Sequence, residues 1–178
     1  MNIRPAQLDD APAMARVMVD TYLAAHRGQM PEAAWQKRKQ EWSYAESEAG
    51  WRRALTAVAD GSDPMWIEVA VNEREEVVGV VLAHLTETPY VGEIGLIYVR
   101  PEAQGQGAGR QLVQAAAAYL ALLGCSELHI ATLAANEPAR RFYEAIGGRV
   151  VDEREFDEEG TLLPEVVYGW PDIKTFLK

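Results

Sequence analysis

A mixed α/β fold is what this sequence predicts, on three observations. A strand-like segment, Glu93 to Val99, runs directly into a turn with glycines at 105, 107 and 109, from which a helix starts. Apolar residues recur at helical spacing up to about residue 60, then switch from Met65 onward to the alternating or unbroken apolar runs of strands. The chain closes on two strand-like segments either side of an acidic turn, Asp157-Glu158-Glu159-Gly160.

Residues 2 to 5 read as a short strand. Asp9 or Asp10 caps a helix that tolerates Pro12 in its first turn, and Met14, Val17, Met18 and Tyr22 carry an apolar stripe to about His26. Arg27-Gly28-Gln29-Met30-Pro31 breaks it. Residues 32 to 60 are helical in composition, punctuated by Gly50 and closed by Asp60-Gly61-Ser62-Asp63-Pro64. Trp35 and Trp42 are seven residues apart and share one helical face, so core packing accounts for them. Trp66 to Val71 alternates, Asn72 to Glu76 is a polar turn, and Val77 to Leu85 is almost wholly apolar, as a central strand would be. The helix after the glycine turn buries Leu112, Ala116, Tyr119 or Leu120, and Leu123, and ends at Gly124. Leu128 to Leu133 is a strand and Pro138 to Ile146 a helix stopped by Gly147-Gly148. Val150 to Phe156 and Leu163 to Trp170 form the closing hairpin. No internal repeat or low-complexity tract interrupts this order.

A chain of 178 residues has the length of a single domain, residues 1–178, with a sizeable core. Lys and Arg total 17 against 27 Asp and Glu, a net charge of −10. That balance argues against sequence-independent nucleic-acid binding, which neutralises phosphates with basic residues. It suits a cationic acceptor such as an amine, although a negative surface more often serves solubility. No apolar run approaches the ~20 residues of a membrane span. Met1-Asn2-Ile3-Arg4-Pro5 lacks the apolar core of a signal peptide, and a lone cysteine, Cys125, makes no intramolecular disulfide. The expectation is a cytoplasmic chain with neither nucleic-acid nor membrane partners; a homodimer is left open.

The glycine turn carries the strongest functional signal. Alternating glycines let a ligand approach the backbone, and a helix N-terminus leaves its first amides unpaired and partly positive. Such a turn is an anion cradle, most often for phosphate. A Walker loop is excluded, because Gly109 is followed by Arg110 and Gln111 rather than Lys and Ser or Thr. The dinucleotide fingerprint is excluded too, because its third glycine would fall on Arg110 or Leu112. What fits is Gln-x-x-Gly-x-Gly at Gln104, Gly107 and Gly109, preceded by Val-x-Pro at Val99 and Pro101. This resembles the acetyl-coenzyme A pyrophosphate loop of the GNAT superfamily of N-acetyltransferases. The segment from Asn136 to Gly148 is similar to that family's second coenzyme segment, Asn-x-x-Ala-x-x-Phe-Tyr-x-x-x-Gly-Phe, and departs from it only at Gly148. The resemblance covers roughly residues 64 to 170, with residues 1 to 27 fitting the opening strand and helix less specifically.

The resemblance implies the GNAT fold: a central, mixed, mostly antiparallel sheet splayed between strands 4 and 5 and flanked by helices. It implies acetyl-coenzyme A as co-substrate, no metal, and direct attack by a primary amine of a small molecule, peptide or protein in a ternary complex. By motif, the backbone of Ile97, Tyr98 and Val99 runs along the pantetheine arm. Gln104, Gly105, Gln106, Gly107, Ala108, Gly109 and Arg110 form the pyrophosphate loop. Asn136 caps its helix with its oxygen and donates its NH2 to a pantetheine carbonyl. Tyr143, a phenol protonated at neutral pH, gives a proton to the leaving thiolate. Phe142, four residues before Ile146, takes the core face, so Tyr143 points elsewhere.

Glu93, eleven residues before Gln104, stands where some family members carry a glutamate base. Glu68, His84, Tyr22 and His26 are its rivals, while His129 reads as structural and Cys125 as a small core residue. Arg100, Arg110, Arg140 and Arg141 surround both segments and could meet phosphates, against the plainer reading of surface ion pairs. A different class of function, a non-catalytic acyl-coenzyme A sensor or subunit, would keep the loop and Asn136 but need neither Tyr143 nor a base. The acceptor-facing segments carry no motif that names the acceptor.

Overall fold

The computed structural model describes residues 1–177. The chain runs β1 (Asn2–Pro5), α1 (Ala11–Ala25), α2 (Glu32–Glu41), α3 (Tyr44–Asp60), β2 (Trp66–Val71), β3 (Val77–Leu85) and β4 (Val91–Val99). It continues with α4 (Ala108–Leu122), β5 (Glu127–Leu133), α5 (Glu137–Ala145), β6 (Arg149–Glu158) and β7 (Thr161–Trp170). The strands form one sheet in the order β1-β2-β3-β4-β5-β7-β6, antiparallel throughout except for the parallel pair β4–β5. This is the mixed, mostly antiparallel sheet that the sequence implies.

Helices cover both faces. On one side Met14 and Val17 of α1 and Trp51 and Leu55 of α3 pack on Val69, Val71 and Val80. On the other, Leu112, Ala116 and Leu120 of α4 pack with Val81, Ile94, Ile130 and Tyr168. Side chains that are fully buried on both faces explain why β3 reads as an unbroken apolar run. No helix among the described residues is long and apolar enough to cross a membrane.

The feature that makes a site is the partial pairing of β4 with β5. The two strands are in register only from Val91↔Glu127 to Ile94↔Ile130. Beyond that point β4 stays with β3 up to Gly79↔Val99, and β5 stays with β7 up to Leu133↔Glu165. The β3–β4 register shifts here too: Leu82 faces Leu96 and Ala83 faces Ile94, which leaves Gly95 as a bulge. A bulge bends its strand, and this one sits where β4 leaves β5.

Several local expectations change. The capping aspartate of α1 is Asp10, but its carboxylate does not bond the helix amides. It accepts from the Arg4 guanidinium at 2.7 and 2.8 Å and from Gln7 N–H at 2.8 Å, tying β1 to the start of α1. Residues 32 to 60 divide at Trp42-Ser43, where Ser43 and Glu46 form a capping box, and Gly50 lies inside α3. Trp42 therefore lies beyond the end of α2 and does not share a helical face with Trp35. Glu93 is the third residue of β4 rather than its first, and Leu123 is exposed beyond the end of α4. The closing turn is shorter than its composition suggests: Glu159 and Gly160 alone make it, with φ of 50° and 89°, so Glu158 belongs to β6.

The Arg4 contact, with help from Gln7 N–H, holds the Asp10 carboxyl below its ordinary 3.8 despite its burial. A depressed carboxylate adds stability above its unfolded value that is lost as pH falls through the folded one. Asp10→Asn should therefore lower stability at pH 7 and flatten its decline below about pH 4. Urea unfolding at pH 7 and pH 3 checks this; equal differences at both pH values would refute it.

Candidate active site

The diverging strands enclose a cavity of about 660 Å³. Its walls are the β4 edge from Ile94 to Val99, the β5 edge from Ile130 to Leu133, and Asn136, Phe142 and Tyr143 of the α5 segment. The glycine turn with Gln104, Gly105, Gly107, Gly109 and Arg110 forms one end. Thr21, Tyr22, Ala25 and His26 of the α1 end close the other. The cavity thus joins an anion cradle to a chamber on the opposite layer.

The cradle is built by backbone geometry. Gly105 and Gly107 take φ of 72° and 90°, a region that L side chains rarely adopt, and Gly107 is the residue from which α4 starts. Gln104 and Gln106 brace the turn: Gln104 Nε2 donates to Val99 O at 2.9 Å and Gln106 Nε2 to Glu102 O at 2.8 Å. Ala108 is buried beneath the first turn of α4. Of the four arginines near the two segments, Arg100 pairs with Glu102 at 2.8 Å and Arg141 with Glu137 at 3.0 Å. Arg140 donates to Ala134 O at 3.0 Å and to the Tyr168 hydroxyl at 3.2 Å. Arg110 makes no ion pair among the described residues and stands exposed at the cradle.

Asn136 is buried and its Oδ1 accepts from Ala139 N–H at 3.3 Å, the cap that the sequence predicts. Among the described residues nothing bonds its NH2, and Asn136 lines the cavity. The division of labour between Phe142 and Tyr143 is the reverse of that expected. Phe142 is half-buried, and a Cβ on Gly109 would lie 3.2 Å from its Cζ. Tyr143 is the deeper ring, 5% exposed, within 5.5 Å of Tyr168 and edge-on to Trp170 at 6.2 Å. Both rings still reach the cavity, because α5 presents them to its wall from one turn. Burial, and then the neighbouring Tyr98 and Tyr168, raise the Tyr143 phenol above its ordinary 10.0, so it carries its proton at neutral pH. The aromatic that the family carries at the position of Gly148 is supplied from elsewhere: a Cβ on Gly148 would come within 2.5 Å of Trp170 Cζ2. The indole fills that place and donates to Ile146 O at 3.0 Å.

The candidate bases separate clearly. Glu93 lies on the α1 layer of the sheet, with His84 and His129 beside it in register. Its carboxylate is 3.6 Å from Arg154, which also holds Glu165 at 2.7 Å, and it is not among the described cavity-lining residues. His84 donates from Nδ1 to Leu85 O at 3.1 Å, and His129 bonds Glu127 at 2.7 Å. Glu68 alternates with Ile67 and Val69 and so faces the opposite layer, where burial raises its carboxyl above 4.5. Tyr22 and His26 line the cavity. Burial lowers the His26 imidazole below 6.5, so it is neutral at pH 7. Burial and then the charge of Glu158 push the Tyr98 phenol up to about 12.

Sequence reading missed Glu158 and Arg38. Glu158, 4% exposed, ion-pairs with Arg38 of α2, whose guanidinium lies 5.9 Å from the Tyr22 ring and 5.2 Å from Trp42. Glu159 adds contacts to Arg38 at 3.1 Å and Lys37 at 3.4 Å. The tip of the β6–β7 hairpin is thereby clasped to α2 beside the α1 end of the cavity. The two-residue Glu-Gly turn was the legible signal for it, because a turn that short leaves Glu158 in the strand, paired with Thr161.

Comparison with known proteins gives this geometry a context. The model of the acetyltransferase (GNAT) family matches residues 28–147. Over 177 residues the chain is 30% identical to YuaI of Bacillus subtilis (strain 168), named as an uncharacterized N-acetyltransferase, covering 97% of this chain and 94% of that one. Among solved structures, the PaiA N-acetyltransferase of Thermoplasma acidophilum in complex with coenzyme A superposes with a TM-score of 0.71 at 16% identity, covering 92% of this chain and 96% of that one. A phosphinothricin acetyltransferase of Sinorhizobium meliloti in complex with acetyl-coenzyme A gives 0.66 at 21%, covering 97% and 89%.

Proposed function

This chain belongs to the acetyltransferase (GNAT) family, and we propose that it moves the acetyl group of acetyl-coenzyme A onto a primary amine of a small molecule, peptide or protein. One observation carries the reading: a single cavity runs from the glycine cradle, past the buried phenol of Tyr143, to the α1 chamber through the opening between β4 and β5. The coenzyme supplies an activated acetyl thioester. The chain's residues supply the rest.

Amides from Gly105 to Arg110 hold the pyrophosphate at the positive end of α4, with Arg110 as a free cation beside it. The unpaired β4 edge at Ile97, Tyr98 and Val99 follows the pantetheine arm, and the Asn136 NH2 meets one of its carbonyls. Gln104 acts at one remove, by fastening the loop to the end of β4. Tyr143 gives its proton to the sulfur as the amine attacks in a ternary complex. A phenol kept protonated by burial and standing on the cavity wall favours an enzyme over a non-catalytic sensor, which has no use for it. The net charge of −10 supports a cationic acceptor rather than nucleic acid, and the lone Cys125 suits a reducing cytoplasm. We read the chain as one domain.

Free-thiol release over a panel of amines, polyamines, aminoglycosides and N-terminal peptides tests the activity. No amine-dependent release with any of them would sink it. Tyr143→Phe keeps the ring and removes the proton, so turnover should fall by about ten-fold or more while coenzyme affinity hardly changes. Equal turnover would return Tyr143 to packing alone.

A further inference from the structure

We propose, on the reading that this cavity carries acetyl transfer to an amine, that the last turn of α1 deprotonates the acceptor, with His26 as the catalytic base and Thr21 as a hydrogen-bond partner of the amine. Thr21, Tyr22, Ala25 and His26 recur at helical spacing on one face, and all four line the cavity. Two of them carry polar atoms that nothing else uses. The Thr21 hydroxyl, in a residue 6% exposed, has no hydrogen-bond partner among the described residues. His26, 8% exposed, lies with its ring centre 4.2 Å from that of Tyr22, tilted by 31°, and bonds Tyr22 O from Nδ1 at 2.9 Å. A carbonyl can only accept, so Nδ1 carries the hydrogen and Nε2 is left with its lone pair. No described residue bonds Nε2. A buried, unpaired hydroxyl and the open nitrogen of a largely buried imidazole, on one cavity wall, are what a ligand N–H would satisfy.

Of the charged groups packed around this wall, Glu158 favours the charged form of the imidazole. Glu158 of β6 is matched by Arg38 of α2, and Tyr98 of β4 holds its proton. Burial outweighs both Glu158 and the Tyr22 carbonyl and holds the His26 imidazole below its ordinary 6.5. Glu93, by contrast, is engaged by Arg154 outside the cavity wall.

The step balances. His26 Nε2 takes one proton from the acceptor ammonium, and the freed lone pair forms the N–C bond to the acetyl carbonyl carbon. The C–S bond breaks, the sulfur takes the Tyr143 proton, and the second proton lost by the nitrogen replaces it. The imidazolium returns its proton to solvent, so one ammonium and one thioester give one amide, one thiol and one released proton.

His26→Ala should lower kcat/KM for the amine by about 100-fold or more, the scale of a general base, while coenzyme affinity stays within about twofold. Added imidazole should restore at least about ten-fold of it, which a merely structural role would not allow. His26→Asn keeps a donor toward Tyr22 O and should show the same loss, which separates chemistry from folding. Thr21→Val should raise KM for the amine with coenzyme affinity unchanged. Nitrogen-15 NMR of the wild type should find His26 with Nδ1 protonated and Nε2 bare at pH 7. Wild-type turnover retained in His26→Ala, a loss that imidazole does not relieve, or a loss found only in Glu93→Gln would each overturn the proposal alone. A wild type that binds coenzyme yet acetylates no amine would overturn both this proposal and the reading beneath it.

Discussion

Coenzyme affinity falls by about a hundredfold or more in Gly109→Val, an energy of roughly 2.8 kcal/mol at 1.4 kcal/mol per factor of ten, while the chain stays folded. Gly109 is the second residue of α4 and has no left-handed φ, so its backbone accepts valine without strain. The obstacle is space on both sides. Toward the core, a Cβ there would lie 3.2 Å from Phe142 Cζ, a ring edge that can give by a few tenths of an ångström. Toward the cavity, the branched side chain stands over the helix amides that the pyrophosphate must reach. Gly107→Val should also lose affinity, but for a different reason, because φ of 90° there costs an L residue about 1–2 kcal/mol before any ligand arrives. Isothermal titration with coenzyme A and with acetyl-coenzyme A, beside a melting curve, separates the two. Gly109→Val should melt close to the wild type and Gly107→Val below it. Affinity within threefold of wild type in Gly109→Val would mean that the turn cradles no phosphate.

The cradle was legible because its physics is local. Alternating glycines, a preceding strand and a following helix lie within a dozen residues, and the cap at Asn136 is equally local. The strand order was legible for a similar reason, since buried runs such as Val77–Leu85 announce themselves. What escaped depends on contacts between distant segments. Arg38 and Glu158 are 120 residues apart, and one reads as part of a polar helix, the other as part of an acidic turn. The depth of Tyr143 relative to Phe142 follows from where Trp170 and Tyr168 stand, and helical spacing alone does not reveal that. The free Nε2 of His26 depends on a bond from Nδ1 to the Tyr22 carbonyl and on the burial of the ring, neither of which has a sequence pattern. The division at Trp42-Ser43 is the exception. Its Ser-x-x-Glu capping box, Ser43 to Glu46, is a local pattern, whereas Gly50 lies within α3 and ends nothing.

Removing one partner of the Arg38–Glu158 clasp should cost far more than removing both. Arg38→Met leaves a carboxylate in a residue only 4% exposed with no opposing guanidinium, a loss on the order of 3–5 kcal/mol. For a chain of this size that is a fall in melting temperature of roughly 6–20 °C. Arg38→Met with Glu158→Leu replaces the pair by apolar groups beside Tyr22 and Trp42, and should recover most of the loss, because desolvating both charges already offset much of their attraction. Function should follow a different course. Both variants lose the tie between α2 and the hairpin tip, so both should bind the acceptor amine more weakly, whereas coenzyme affinity at the far end of the cavity should hold. Urea unfolding of the four members of the double-mutant cycle, beside KM for one amine, reads the two effects separately. A single-mutant loss below about 1 kcal/mol would place the pair among screened surface contacts. A double mutant with wild-type KM would show that the clasp shapes the fold and not the acceptor chamber.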